Sequence, residues 1–188
     1  MAAALGVEPV GFSDWPSRTL KAHLAEALAW IGQVAAKHAI DTFWVSAWEG
    51  GHQDHDTANF LAAKAAAGRP VFEFAEYGLS DGRRRWQSFA RASGGETLVR
   101  LSPDEARAKR ELLATYRSER STLRAVRVAR ECFRPLPVHD YSRPPNSGAL
   151  WRDHFHWVRF IVAHPSIDFE PSAEVYGTLA AFEASRPR

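Results

Sequence analysis

Apolar positions in the front half of the chain alternate between short continuous runs and longer stretches at helical spacing. Val7–Phe12 is a short apolar run expected to form a buried strand, broken by the turn-rich Ser13–Ser17 with its Pro16. Leu20, Leu24, Leu28, Ile31 and Val34 then recur on one helical face, which predicts a helix from about Thr19 to Lys37. Ile40–Ala47 is rich in β-branched and aromatic residues and predicts a second strand. Gly50-Gly51 ends that strand, the alanine-rich Asp54–Ala67 predicts a helix closed by Gly68, and Val71–Phe74 predicts a third strand.

Strands joined by helices predict an α/β fold, a Rossmann-like parallel sheet flanked by helices in three layers, formed by residues 1–188 as a single domain. Ser102-Pro103-Asp104-Glu105 has the serine, proline and glutamate of a capping box, so a helical stretch should follow it toward Arg130. From Arg134 to Gly148, prolines with Asn, Ser and Gly predict an ordered loop. The residues beyond Phe160 carry no clear pattern. At the other end, Ala2–Leu5 before Gly6 reads as the last turn of a helix with its glycine cap. One turn is barely stable alone. The expectation is therefore that a strand and most of a helix belong upstream and that the fold is N-terminally incomplete; a frayed tail before a genuine first strand is the alternative.

Composition narrows the function classes. A formal net charge of +2 gives no general attraction for nucleic acid or membrane. The arginines at Arg83–Arg85 and between Arg117 and Arg130 lack the aromatic interleaving of a nucleic-acid surface. One cysteine, Cys132, leaves no disulfide framework within the chain and fits a reducing compartment. No apolar run approaches a membrane span and the start lacks the features of a signal peptide, so a cytoplasmic location is expected.

The chemistry concentrates in one loop. Ligands of an open parallel sheet collect at the carboxyl edge of its strands, and the segment after Ile40–Ala47 reads Trp48-Glu49-Gly50-Gly51-His52-Gln53-Asp54-His55-Asp56. The glycines permit a tight turn. His52 and His55 are three apart, so on a first helical turn both imidazoles share a face. Asp54 and Asp56 sit where the helix dipole favours negative charge, and capping alone is the bland account of them.

This segment resembles the second metal motif of the PIG-L/LmbE-like N-deacetylases. The flanks agree in order: Ala3–Val7 before a strand, Glu73–Tyr77 after the next strand, Ser102–Arg120 with its Tyr116 and Ser118, and the proline-rich Asp140–Pro145. The similarity spans roughly residues 1–155. It implies a zinc-dependent hydrolase that removes acetyl from an N-acetylated sugar or a related small amide. By motif position, His55 would be a zinc ligand, His52 the acid that stabilises the oxyanion, and Asp54 a residue that orients a histidine. The resemblance also implies a further histidine, an aspartate ligand and a general base from an Ala-His-Pro-Asp-Asp segment, which this sequence does not contain. The expectation is thus an inactive or impaired chain with an exposed sheet edge and a tendency to associate, including as a homo-oligomer.

Substitutes are few. Ala163-His164-Pro165-Ser166-Ile167-Asp168 has the wrong residues at the required spacings, Asp14 has the character of a turn residue, and His154 and His156 alternate as on a strand. Gln53 and Asn146 stand where the family usually has proline and often has histidine. The competing functional class is a non-catalytic module that binds sugar or a partner. A nucleotide-binding domain is weak, because no G-x-G-x-x-G follows a strand.

Overall fold

The computed structural model describes residues 5–116, 123, 126–148, 150–151 and 173–186. His154, His156 and His164 lie outside the described residues.

A 3-10 turn over Leu20–His23 runs into helix α1, Leu24–Lys37, and strand β1 follows at Phe43–Ser46. Helix α2 spans Gln53–Ala65 and strand β2 spans Val71–Phe74. The strand–helix–strand order expected for this stretch is present, and β1 and β2 pair in parallel. The strand expected at Val7–Phe12 is absent: the segment is irregular, with Val7 53%, Val10 44% and Phe12 87% exposed. Pro9 offers no N–H to a ladder, and among the described residues no strand lies beside β1 to receive the segment.

The sheet is mixed rather than wholly parallel. Strand β5, Thr97–Arg100, and strand β6, Arg130–Pro135, complete the order β1-β2-β6-β5, with β6 antiparallel to both neighbours. The proline-rich segment after Arg134 thus begins as sheet before it becomes loop. A separate hairpin of β3, Tyr77–Ser80, and β4, Arg83–Trp86, turns through Asp81-Gly82, both at positive φ. The arginines 83–85 lie on this hairpin. Helix α3, Pro103–Ala114, has the expected capping box, with Ser102 and Glu105 exchanging hydrogen bonds, and helix α4 covers Glu174–Ala184.

Helices α1, α2 and α4 lie together. Leu24 and Ala27 from α1 meet Phe60 and Leu61 from α2 and Val175, Tyr176 and Leu179 from α4, with Trp48 and Leu150 filling the space between. Asn59 of α2 donates to Glu73 in β2, which places the helices on the face that carries Glu73. The opposite face carries Trp44, Phe72 and Phe133, stacked edge and face with ring centroids 4.9 Å apart at the Trp44 contacts. Trp44 is 54% exposed there, and among the described residues no helix covers this face. A full three-layer sandwich is therefore not what the described residues form.

Candidate metal centre at the carboxyl edge of the sheet

The loop from Ala47 to His52 is held from several sides. Asp56, fully buried in the first turn of α2, accepts the N–H groups of Glu49 and Gly50 at 3.1 and 3.2 Å on one oxygen and the Tyr176 hydroxyl at 2.6 Å on the other. Asn146 donates its amide to the Glu49 carbonyl at 3.1 Å, and the Trp151 N–H reaches the Gly50 carbonyl at 2.9 Å. Glycine is required at Gly51, where a Cβ would lie 2.0 Å from the Tyr77 carbonyl oxygen. Gly78 faces Glu49 with similar closeness, 2.7 Å from an added Cβ to the Glu49 oxygen. The loop and the start of β3 are pressed into contact.

This clamp sets out the histidines. His52 is the N-cap of α2 in extended conformation, and its Nδ1 accepts the Asp54 N–H at 3.1 Å. An accepting Nδ1 places the proton of the neutral ring on Nε2, so His52 presents an Nε2–H donor. His55 lies one turn along, its ring centroid 5.1 Å from that of His52, as the spacing of three predicts.

Asp54 points the other way. Its carboxylate accepts the backbone N–H of Arg18 at 2.5 Å and of Leu20 at 3.3 Å, while Gln53 donates to the Arg18 carbonyl at 2.6 Å. The Asp54 carboxylate is 3.9 Å from His52 Nδ1, beyond hydrogen-bond reach. It ties the segment before α1 onto α2.

The carboxylate beside the histidines is Glu76. Its Oε2 is 2.9 Å from His55 Nδ1, an ion-pair separation. That oxygen is nevertheless buried with no hydrogen aligned on it from any described residue, so the contact is close without being a well-formed hydrogen bond. Burial raises the Glu76 carboxyl, but His55 and the neighbouring Ser46 and His52 outweigh it and hold the group below its ordinary value. Burial pulls His55 down, yet Glu76, Asp56 and Asp54 together bring it above the ordinary histidine value. Glu49 behaves oppositely. Desolvation and the nearby Glu76 and Asp56 push its carboxyl up to about 8, despite hydrogen bonds from the Glu76 and Tyr77 N–H groups at 2.7 and 2.9 Å. Glu49 is therefore a neutral acid at pH 7.

Glu49 also borders a cleft of about 270 Å³, lined among others by Trp48, Arg91, His139, Arg143 and Asn146. Beneath it lies a polar network. Glu73, fully buried, receives Arg134 Nε at 2.7 Å, sits 3.0 Å from His139 Nε2, and takes the Asn59 amide at 3.0 Å. Asn59 in turn accepts the Tyr141 hydroxyl at 2.9 Å. His139 and Arg134 hold the Glu73 carboxyl below its ordinary value against the opposing effect of burial.

His55 and Glu76 offer a nitrogen and an oxygen of the type zinc accepts, and the buried Glu76 oxygen, with no hydrogen aligned on it from a described residue, suits a cation. Among the described residues no group of three or more His, Cys, Asp or Glu side chains is arranged to hold a metal. Asp14 is exposed, and no hydrogen bond or ion pair among the described residues brings it to His52 or His55. The sequence pattern located His52 and His55 but not Glu76 or the Glu73 network. A charged residue within the apolar Val71–Phe74 strand was the one visible sign of the latter. Among the described residues no helix is long and apolar enough to cross a membrane. No family model matches the chain, and no curated protein or solved structure matches it.

Proposed function

We propose that the chain carries the metal-binding loop of a zinc-dependent hydrolase of the PIG-L/LmbE-like type, acting on the acetyl group of an N-acetylated sugar or a related small amide. One observation carries this reading: the two motif histidines stand side by side at the carboxyl end of β1, held by a loop clamped to its neighbours. A bound zinc ion supplies Lewis acidity toward an amide carbonyl and an acidified water. His55 would hold the ion. His52, with its proton on Nε2, would donate to the carbonyl oxygen as negative charge develops there. Its Nδ1 already accepts the Asp54 N–H, which would leave Nε2 as the nitrogen that donates. The adjoining cleft, lined among others by Trp48, His139, Asp140 and Asn146, is suited to a small polar substrate.

The reading accounts for the loop, but among the described residues around His55 no carboxylate besides Glu76 is placed to act on a water, so slow turnover is expected. The test is release of acetate from a panel of N-acetylated amino sugars, with chelator added and then zinc restored. Turnover that stops with chelator and returns with zinc supports the reading, and turnover indifferent to chelator rejects it. A second reading, a sugar-binding module without catalysis, is favoured by the cleft's position beside Glu49 rather than at His55. It predicts binding of N-acetylglucosamine that a chelator leaves unchanged.

A further inference from the structure

We propose that Glu76 is a metal ligand, so that His55 and Glu76 together grip a divalent cation at the carboxyl edge of β1 and β2. The inference rests on the metal-dependent reading above and adds to it a donor from a different strand.

Topology brings the two groups together. Strands β1 and β2 are parallel neighbours, so the residues after each emerge at the same sheet edge. His55 comes from the helix after β1, and Glu76 lies two residues beyond β2. The Glu76 backbone is fixed there, because its N–H and that of Tyr77 both donate to Glu49. Its side chain then lies across the loop to place Oε2 2.9 Å from His55 Nδ1.

Two features separate this contact from an ordinary surface ion pair. Oε2 is buried, and although His55 Nδ1 lies 2.9 Å away, no hydrogen from a described residue is aligned on it. A buried carboxylate oxygen without an aligned hydrogen gains from a cation that meets it directly. Second, donors about 2.0–2.2 Å from one ion lie roughly 2.9–3.4 Å from each other, so the observed separation suits two atoms sharing an ion. Nitrogen and carboxylate oxygen suit zinc, cobalt or iron rather than the all-oxygen shell of calcium. With one histidine and one carboxylate, water or substrate would fill the remaining positions. Glu76 would thus supply a carboxylate of the kind the motif loop lacks.

The experiment is titration of the purified full chain with cobalt(II), followed by competition with zinc, for the wild type, Glu76→Gln, His55→Ala and His52→Ala. Circular dichroism melts check that each variant is folded. Ligation by Glu76 predicts that Glu76→Gln and His55→Ala each weaken binding at least about 100-fold, whereas His52→Ala stays within about tenfold. Glu76→Asp, which keeps the carboxylate, should recover part of the affinity. Wild-type affinity in Glu76→Gln with loss in His55→Ala would overturn the inference while leaving the metal reading intact. No binding by the wild-type chain would overturn both. Difference infrared spectroscopy of the wild-type chain gives a readout that needs no variant: cation addition shifts a carboxylate stretch if Glu76 ligates, and the absence of any shift overturns the inference.

Discussion

Burial of the Glu49 carboxyl links the stability of this molecule to pH at one side chain. Its folded carboxyl is pushed up to about 8 from an ordinary 4.5. Between those values the unfolded chain releases the proton that the folded chain keeps, so Glu49's contribution is fully present below about 4.5 and is lost as pH rises toward 8. Glu73 has the opposite sign: its carboxyl is held low by His139 and Arg134, and its contribution fades as pH falls below the ordinary glutamate range. We expect Glu49→Gln, which keeps an oxygen for the Glu76 and Tyr77 N–H groups, to raise stability by about 1–3 kcal/mol at pH 8 and to do little at pH 4. Urea denaturation at the two pH values checks this, and equal effects at both would count against a neutral buried Glu49. Glu73→Ala should destabilise the fold by about 3–5 kcal/mol, because it leaves the buried Arg134 without its carboxylate. Asp54→Ala removes two backbone hydrogen bonds and should cost about 1.5–3 kcal/mol by the same assay. None of these three roles was legible in the sequence. Each depends on a partner 25 or more positions away, and local spacing carries no information about such partners.

At the scale of elements, local signals did well wherever local physics decides. The Ser102 capping box formed as its residues dictate, and Val71–Phe74 is the strand its apolar run predicts. The helix after Gly50-Gly51 begins at Gln53, with His52 as cap, and its first turn sets the two histidines side by side. Where pairing with a distant strand decides, the signals failed. Val7–Phe12 has strand composition but no strand beside it among the described residues, and β5 and β6 pair antiparallel through residues thirty or more apart in sequence. The hairpin of β3 and β4 was hidden by its three successive arginines, which mask the alternation of a strand. The same hairpin bounds the site. Gly51→Ala would drive a Cβ into the Tyr77 carbonyl, and because that atom is backbone, the loop rather than a side chain must move. We expect Gly51→Ala to lower stability by more than about 2 kcal/mol and to abolish metal binding at His55. A melt indistinguishable from wild type would show that the loop is less tightly clamped than the contacts indicate.

The whole molecule is asymmetric about its sheet. One face is closed by α1, α2 and α4 over a continuous core, and the other presents Trp44, Phe72, Phe133 and the 39% exposed Val99. Strand β1, at the end of the described sheet, has no second strand neighbour among the described residues beside this aromatic surface. Such an edge and face favour association. We expect apparent mass in size-exclusion chromatography to rise with protein concentration, and Trp44→Lys to reduce that rise. A wild-type chain that elutes as a monomer across a hundredfold concentration range would contradict this. The sheet edge that carries His52 and His55 was foreseeable from the strand–helix order and the glycine break alone. The mixed direction of the sheet was not, because antiparallel β6 arrives from sequence far beyond the motif.

On the proposed reading, this sheet edge holds a metal through His55. Elemental analysis of the purified chain, after zinc loading and desalting, beside a His55→Ala control, tests it most directly. A metal held through His55 would give close to one zinc per wild-type chain and a clear loss in the control. No zinc in either sample, or equal zinc in both, would contradict it.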